Sequence, residues 1–308
     1  MSRLSCLAAA SMLMLAAAAS PARAEDTVGL AVANLQANFF NQIKDAVNAE
    51  AKSKGVAVDT ADARGDSATQ VNQIQDMITK SVKALIYIPA GATAAGVPVR
   101  DAHAAHIPVV NVDRNAADAP GDTFIATDSV AAAHTLGDYV CKITNGKGNV
   151  AIIQGQIGTT PEEDRNKGFN EALANCPGLK VVAKQASKQW HQDEGFNIAQ
   201  DMLQRNPDIT VIFGRADALA LGAAQAVKVA NLGHPVVVVG FDGDTAGLEA
   251  VKNGVLAATM TQKTQYMGRL ALDSALELAA GKSVPKMQLQ PAVLTTQENV
   301  GPFLKQHP

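Results

Sequence analysis

Aromatic residues are scarce in this sequence of 308 residues. Phenylalanine, tyrosine and tryptophan together make up 4% of the chain, and Trp190 is the single tryptophan. The hydrophobic content of 47%, which comes largely from alanine and valine, is ample for a core. Because large rings carry much of the energy of small-molecule recognition, an aromatic residue among polar neighbours is a candidate binding residue.

Long apolar runs are also missing, apart from one near the N-terminus. The apolar stretch 7–19 is too short to cross about 30 Å of hydrocarbon as a helix. It follows Arg3 and leads to Ala22-Arg23-Ala24, which is the three-part pattern of a secretory signal peptide. We therefore predict that residues 1–24 are a cleaved signal peptide and that the mature chain is periplasmic.

Clusters of positive charge are absent. Without Arg3 and Arg23, 24 cationic side chains remain against 29 acidic ones, so the mature chain has a net charge of −5. This balance argues against nucleic acid or an anionic membrane surface as a partner. No motif indicates an oligomer, and we expect a monomer.

Cysteine is rare, with three in the whole chain. Cys6 precedes the apolar stretch and is therefore not placed as a lipid anchor. An oxidising compartment favours a disulfide between the other two, Cys141 and Cys176. Two buried free thiols are the alternative, and sequence alone does not decide whether the pair lies within bonding distance.

Motifs of the common catalytic and metal-binding classes are absent as well. Gly281-Lys282-Ser283 resembles the end of a P-loop, but Leu276 stands where the first glycine is required. The sequence contains no G-x-S-x-G element, and the pair His103 and His106 does not form the H-E-x-x-H pattern of a metal site. We therefore expect no metal, no cofactor and no enzymatic activity.

What the chain does contain is a regular alternation of short apolar runs and longer amphipathic stretches. The runs are mostly continuous, which is typical of parallel strands covered on both faces. The alternation predicts an α/β fold with two parallel sheets of about five or six strands each. The predicted strands are 28–33, 56–60, 84–88, 108–112, 123–126, 149–154, 180–185, 210–213, 235–240 and 257–261.

Polar and aromatic residues follow the predicted strands, where ligands bind in open α/β sheets. Carboxylates accept hydrogen bonds from ligand hydroxyls, arginine donates several, and a sugar's C–H face stacks on an aromatic ring. This combination predicts a sugar-binding cleft. The candidate ligand-binding residues are Asn34, Asn38, Phe39, Phe40, Asp113, Arg114, Arg165, Trp190, Arg215, Asp217, Asp242 and Gln262.

Each candidate also has an ordinary structural interpretation. Phe40 taken alone is more often a core residue, and Asp113 or Asp242 alone could cap a helix or a turn. Arg165 could be a solvated helix residue, and Trp190 could pack between loops. The functional interpretation gains weight because all of these residues are predicted to lie along one rim.

The order of these motifs resembles the ribose-binding-protein-like family of periplasmic sugar-binding proteins from ABC transporters. The resemblance runs from about Thr27 to Val300. It rests on Asn34 with Phe39-Phe40, on Asp113-Arg114, on Arg165, on Gly240-Phe241-Asp242-Gly243 and on Leu256-Ala257-Ala258-Thr259 followed by Gln262. No single motif is specific, but their combination in this order is.

The resemblance implies two Rossmann-like lobes joined by three crossovers, with the ligand held between them. The N-terminal lobe would comprise residues 26–127 plus 260–289, and the C-terminal lobe 128–259 plus 290–308. Phe40 and Trp190 would stack on the ligand from opposite lobes. The remaining family contacts would fall on Phe39, Asp113, Arg114, Arg165, Asp242 and Gln262.

Four polar positions of the ribose pattern are missing here. Ala33, Ala37, Ile88 and Ala216 stand where the family has serine or asparagine. A buried ligand hydroxyl without a partner costs about 1–3 kcal/mol. Ribose is therefore disfavoured, and a differently decorated sugar or a cyclic polyol such as an inositol is expected.

The expected function is that of the solute-binding component of an ABC importer, which presents its ligand to a permease in the inner membrane. A sensor subunit that presents the ligand to a chemoreceptor or kinase shares the same fold and cleft, so sequence does not separate the two. A secreted carbohydrate-active enzyme using a pair such as Asp113 and Asp242 is a third, weaker alternative.

Overall fold

The computed structural model describes residues 27–308, so the predicted signal peptide 1–24 lies outside the described residues. The strands are β1 Thr27–Val32, β2 Ala57–Asp62, β3 Leu85–Tyr87, β4 Val109–Val112, β5 Thr123–Thr127, β6 Gly148–Gln154, β7 Leu179–Ala186, β8 Val211–Gly214, β9 Val237–Val239, β10 Thr259–Thr261, β11 Met287–Gln290 and β12 Val293–Thr295. The helices are α1 Asn38–Lys54, α2 Ser67–Thr79, α3 Gly96–Ala104, α4 Ser129–Ile143, α5 Thr160–Ala174, α6 Gln192–Arg205, α7 Asp217–Ala230, α8 Thr245–Lys252, α9 Thr264–Ala279 and α10 Gly301–Lys305.

The first lobe, called the N-lobe below, is built on a six-stranded parallel sheet. Its strand order is β11-β5-β4-β3-β1-β2, and helices α1, α2, α3 and α9 pack on it. The central strands are buried along their whole length; β4, for example, reads Val-Val-Asn-Val with every residue buried. Burial on both faces explains why these strands are continuous apolar runs in the sequence.

The second lobe, called the C-lobe, is built on a four-stranded parallel sheet of order β7-β6-β8-β9, with helices α4 to α8 around it. Strands β10 and β12 pair antiparallel beside it, and a bridge between Val239 and Ala258 links β10's segment to β9. Helix α10 packs on α8. The predicted α/β class with parallel sheets in two lobes is confirmed.

The chain passes between the lobes three times, after β5, after β10 and after β11. Met260 packs in the C-lobe core, whereas Met267 of α9 packs in the N-lobe core. Gln290 at the end of β11 still pairs with Thr127 in the six-stranded sheet. The exact lobe limits 26–127 plus 260–289 and 128–259 plus 290–308 stay a prediction.

Each of the ten predicted strands corresponds to a strand of the structure, but β11 and β12 were not predicted. Strand β11 lies at the edge of its sheet and exposes Met287 and Leu289 while the intervening glutamines are half-buried. Its apolar residues therefore point away from the core, which reverses the pattern that signals a strand face. Strand β12 has three residues, too few for a periodic signal.

Helix boundaries follow local chemistry in most places. Asp128 caps α4 by accepting from the backbone N–H of Ala131, and Gly55 ends α1 in the left-handed region at φ 66°. Asn38 and Asp217 have side chains that suit an N-cap, but neither serves as one. Each is the first residue inside its helix, and an alanine without a capping side chain precedes it.

Cys141 and Cys176 are joined by a disulfide within the C-lobe, which decides between the two alternatives left open by the sequence. The bond ties the end of α4 to the residues that follow α5. Across residues 27–308, the structure contains no helix of the length and apolarity that a membrane crossing requires.

Candidate ligand-binding site

A cavity of about 360 Å³ lies between the two lobes at the carboxyl ends of their parallel strands. This is the place that the fold provides for a ligand. Eight of the twelve predicted residues line the cavity: Asn38, Phe39, Phe40, Asp113, Arg114, Arg165, Trp190 and Asp242. Both lobes contribute to its wall.

Aromatic rings from both lobes flank one guanidinium in the wall. Phe39 and Phe40 form an edge-to-face pair with ring centroids 5.2 Å apart at the start of α1. The Arg114 guanidinium carbon lies 5.3 Å from the Phe40 ring centroid and 5.8 Å from that of Trp190. Arg114 therefore lies within cation–π range of both rings to which the resemblance assigned ligand stacking.

Asp113 and Arg114 follow β4 in a tight, buried turn. Asp113 adopts φ 61°, and Arg114 donates from Nη1 to the carbonyl oxygens of Pro89 and Ala90 at 3.1 and 3.0 Å. The Asp113 Oδ2 atom lies 3.6 Å from Arg114 Nε, which has no hydrogen-bond partner among the described residues. Burial raises the pKa of the Asp113 carboxyl, and the nearby charges of Arg114 and Arg165 partly offset this.

Arg165 and Asp242 form the corresponding pair in the C-lobe, with Arg165 Nη2 3.3 Å from Asp242 Oδ1. The Arg165 guanidinium stacks on the Phe241 ring, 3.9 Å from its centroid, and donates to the carbonyl oxygen of Arg215. Asp242 adopts φ 128°, a strained conformation for a side-chain-bearing residue. Burial raises the pKa of Asp242 to about 7, although Arg165 opposes the shift.

Gln262, predicted as a direct contact, does not line the cavity and is fully buried. Its Nε2 donates to Asp242 Oδ1 at 2.8 Å, and its Oε1 accepts from the Thr127 hydroxyl at 2.6 Å. Gln262 thus holds Asp242 from behind and links the first two passages of the chain between the lobes.

Arg215, a candidate ligand-binding residue, also lies outside the cavity wall. Its Nη1 donates to the carbonyl oxygen and to Oε1 of Glu162 at 3.0 and 3.2 Å, and its Nη2 donates to Asn166 at 3.0 Å. Burial lowers the pKa of Arg215 to about 10, and Glu162 opposes the shift. The pair ties α5 to the end of β8 beneath the cavity floor.

Asp217 and Asn34 are likewise placed behind or beside the cavity. Asp217 is fully buried and accepts from the Thr259 hydroxyl at 2.6 Å and from the Asp244 backbone N–H at 3.0 Å. Burial raises the pKa of its carboxyl. Asn34 lines a small neighbouring recess, and its Nδ2 lies 3.2 Å from His191 Nε2 in the C-lobe.

Several cavity residues were not predicted from the sequence. His191 and Gln192 follow Trp190 directly after β7, so the strand-end rule would have found them. Gln36 and Asp244 also stand in strand-end loops. Leu221 lies one turn inside α7, where no sequence signal marks it. The other unpredicted wall residues are Ala37, Pro161, Ala216, Ala218 and Ala246.

The two lobes touch across the mouth of the cavity. Asn38 Nδ2 donates to the Thr245 hydroxyl at 3.3 Å, and the backbone N–H of Asn115 donates to the Thr160 hydroxyl at 3.0 Å. With the contact between Asn34 and His191, these bonds place α1 and the loop after β4 against the C-lobe. The structure therefore has the lobes in a closed arrangement.

The described part of the chain contains no group of three or more metal-ligating side chains arranged to hold a metal ion. His103 was paired with His106 in the sequence analysis. In the structure its Nε2 lies 3.0 Å from Asp122 Oδ2.

Two Rossmann-like lobes with a cavity of polar and aromatic residues between them define a cleft-type solute-binding protein. The model of the periplasmic binding protein domain matches residues 28–283. The chain therefore belongs to that family, which implies a periplasmic location.

Curated relatives and solved structures agree with this assignment. The ribose import binding protein of Haemophilus influenzae is 34% identical over 284 residues, which cover 92% of this chain and 96% of that one. The D-allose-binding periplasmic protein of Escherichia coli is 32% identical over 275 residues, 84% of this chain and 88% of that one. A solved ABC transporter solute binding protein from Bacillus halodurans with bound myo-inositol is 27% identical, with a TM-score of 0.85 and coverage of 93% of this chain and 99% of that one. These relatives are solute-binding proteins of ABC importers, not enzymes.

Proposed function

We propose that this protein binds a monosaccharide or a cyclic polyol in the interlobe cavity and delivers it to the permease of an ABC importer. The observation that carries the proposal is the pairing of buried Asp/Arg couples with aromatic faces in one cavity. Asp113 with Arg114 comes from the N-lobe, and Asp242 with Arg165 comes from the C-lobe. A ligand with hydroxyls around an apolar ring face matches this wall.

Hinge closure is the proposed mechanism. A ligand that contacts both couples binds the closed form better than the open one, and this difference in affinity shifts the equilibrium towards closure. The three passages of the chain between the lobes form the hinge. The N-lobe is proposed to comprise residues 26–127 plus 260–289, with the hinge residues at the ends of these ranges. The closed surface is then read by the permease.

The ligand is proposed to differ from ribose. Ala37 and Ala216 line the cavity at positions where the ribose pattern has polar side chains, and Ala33 lines the adjoining recess. These alanines offer no hydrogen bond to a hydroxyl at those places. An inositol or an aldohexose arranges its hydroxyls differently around the ring, and those hydroxyls that face the two Asp/Arg couples would find hydrogen-bond partners there.

Export to the periplasm through a signal peptide at residues 1–24 is part of the proposal. The disulfide between Cys141 and Cys176 supports an oxidising compartment. The mature protein is proposed to act as a monomer with one cavity per chain.

The test is a thermal-shift panel on residues 25–308 with pentoses, hexoses, inositols, linear polyols, sugar acids and amino acids. A ligand present at 100 times its dissociation constant stabilises the folded state by about 2.7 kcal/mol, which raises the Tm by several degrees. We expect such a shift for a few hexoses or inositols only. Shifts confined to amino acids or sugar acids would refute the polyol assignment.

Variant proteins and a transport assay sharpen this test. Trp190→Ala and Asp113→Asn should abolish the shift, whereas Arg100→Lys, on the exposed pair with Asp118, should leave it unchanged. Uptake of the identified ligand should fail in cells that lack the protein. Normal uptake together with loss of a taxis response would favour the sensor role instead.

A further inference from the structure

The segment 306–308 leaves the C-lobe and ends on the N-lobe. It follows helix α10, which packs on α8, and the α10 residues Phe303 and Leu304 join the C-lobe core through buried Val300. The segment is therefore anchored to the C-lobe on its N-terminal side.

On the other side, Pro308 contacts the first turn of α9 in the N-lobe. Its carbonyl oxygen accepts from the backbone N–H groups of Gln265 and Tyr266 at 3.1 and 3.2 Å. The first N–H groups of a helix have no partner inside it, and the N-cap Lys263 supplies no side-chain cap. Pro308 therefore provides a cap that α9 does not supply from its own sequence, and α9 packs on α1.

His307 connects the loop 242–244, which follows β9, to the start of α9. Its Nε2 donates to the carbonyl oxygen of Gly243 at 2.7 Å, and its Nδ1 lies 3.1 Å from the hydroxyl of Thr264. Gly243 adopts φ 67° between the two cavity-wall residues Asp242 and Asp244. Thr264 in turn donates to Gln42 on α1 at 2.7 Å.

We propose that the segment 306–308 is a clasp between the lobes and that His307 is a positioning residue for the ligand loop 242–244. The clasp spans the second passage of the chain, where Gln262 leaves the C-lobe and Thr264 begins the N-lobe helix. By fixing the Gly243 carbonyl, His307 holds Asp242 in its strained conformation facing the cavity. The effect on ligand affinity rests on the proposed function, whereas the clasp itself does not.

Hydrogen exchange on the ligand-free protein tests the clasp directly. His307→Ala should speed amide exchange about tenfold in two places at once, at residues 264–266 of the N-lobe and at residues 242–247 of the C-lobe. Deletion of residues 306–308 should do the same. His307→Gln, whose amide can donate to the Gly243 carbonyl, should restore protection of 242–247.

The matched control is His234→Ala. His234 also contacts two backbone carbonyl oxygens, of Pro207 and Pro235, but both lie within the C-lobe. The His234→Ala substitution should leave amide exchange at residues 242–247 and 264–266 unchanged. Unchanged protection of both regions in His307→Ala and in the deletion variant overturns the clasp.

Binding supplies the second readout, with myo-inositol and D-allose as probes. For whichever probe binds the wild-type chain, His307→Ala should raise the dissociation constant about tenfold. This is the size expected from the loss of one well-placed hydrogen bond. His307→Gln should recover most of it. An affinity equal to wild type in His307→Ala refutes the positioning role. If neither probe binds the wild type, the ligand that the thermal-shift panel identifies replaces them. A panel that identifies no sugar or polyol would refute the proposed function, and hydrogen exchange would still decide the clasp.

Discussion

Gln262 Nε2 donates a hydrogen bond to Asp242 Oδ1 at 2.8 Å, from a position fully behind the cavity wall. The same oxygen of Asp242 lies 3.3 Å from Arg165 Nη2. Gln262 also accepts from Thr127 at the end of the first strand that leads out of the N-lobe sheet. One amide therefore joins two passages between the lobes to a carboxylate of the site.

Gln262→Leu should weaken ligand binding although residue 262 does not touch the cavity. The substitution leaves Asp242 without its buried donor and the Thr127 hydroxyl without its acceptor, and a buried polar group without a partner costs about 1–3 kcal/mol. Isothermal titration calorimetry should show a loss of about 10- to 100-fold in affinity. Gln288→Leu, at a half-buried glutamine of the N-lobe that donates to Thr123 and Ser274, is the control and should bind normally.

Arg114→Lys should lose ligand affinity by at least about tenfold. The guanidinium donates to two carbonyl oxygens and lies beside two aromatic rings, and an ammonium group cannot reproduce this planar, forked geometry. Affinity by calorimetry is the measurement, and Arg100→Lys serves as the exposed control. Equal affinities in the two variants would show that Arg114 only fills space.

Gly155→Ala should displace Trp190 from the cavity wall. A methyl group at Gly155 would overlap the indole ring, whose far edge packs on this glycine. We expect folded protein with a shifted tryptophan emission and with ligand affinity reduced about 2- to 10-fold, since stacking contacts of aromatic rings contribute about 0.5–1.5 kcal/mol beyond burial. Gly233→Ala, which meets no atom within 4 Å, is the matched control and should leave both signals unchanged.

The ligand-free protein should become more stable as the pH falls from 8 to 5.5. The pKa of Asp242 is raised to about 7 by burial, so the folded state binds a proton more readily than the unfolded chain, in which an aspartate titrates near 3.9. Stability is then lost as the pH rises through this window. Raised pKa values of Asp113, Asp217 and Asp244 act in the same direction.

Asp242→Asn should flatten this dependence, because the amide does not titrate. We expect the Tm difference between pH 5.5 and pH 8 to shrink by several degrees relative to wild type, as followed by circular dichroism. Asp45→Asn, on an exposed residue of α1, is the control. A pH profile of Asp242→Asn that overlays the wild type would contradict the assignment.

Removal of the disulfide should destabilise the C-lobe without changing the site. A bond between residues 35 positions apart contributes about 3–4 kcal/mol in the chain-entropy model. The Cys141→Ser, Cys176→Ser double variant should therefore unfold at a lower urea concentration than the wild type. Without urea, its ligand affinity should equal that of the wild type. A reductant should shift the wild-type transition to that of the variant and leave the variant unaffected.

The sequence by itself determined the α/β class, ten of the twelve strands found in residues 27–308 and the rim on which the candidate site lies. Continuous apolar runs report burial on both faces of a strand, and parallel strands bring their carboxyl ends to one edge, so both follow from local pattern. The twin phenylalanines and the Asp113-Arg114 pair were found in this way, and so was Trp190.

Only the tertiary structure decided which polar side chains face the cavity and which stand behind it. Arg215, Asp217 and Gln262 occupy strand ends just as Asp242 does, but each is turned away by a buried partner that lies far along the chain: Glu162, Thr259 and Thr127. Long-range partners of this kind leave no periodic trace in the sequence. The contacts of His307 and Pro308 with Gly243 and α9 arise in the same way, because packing of the two lobes brings distant segments together.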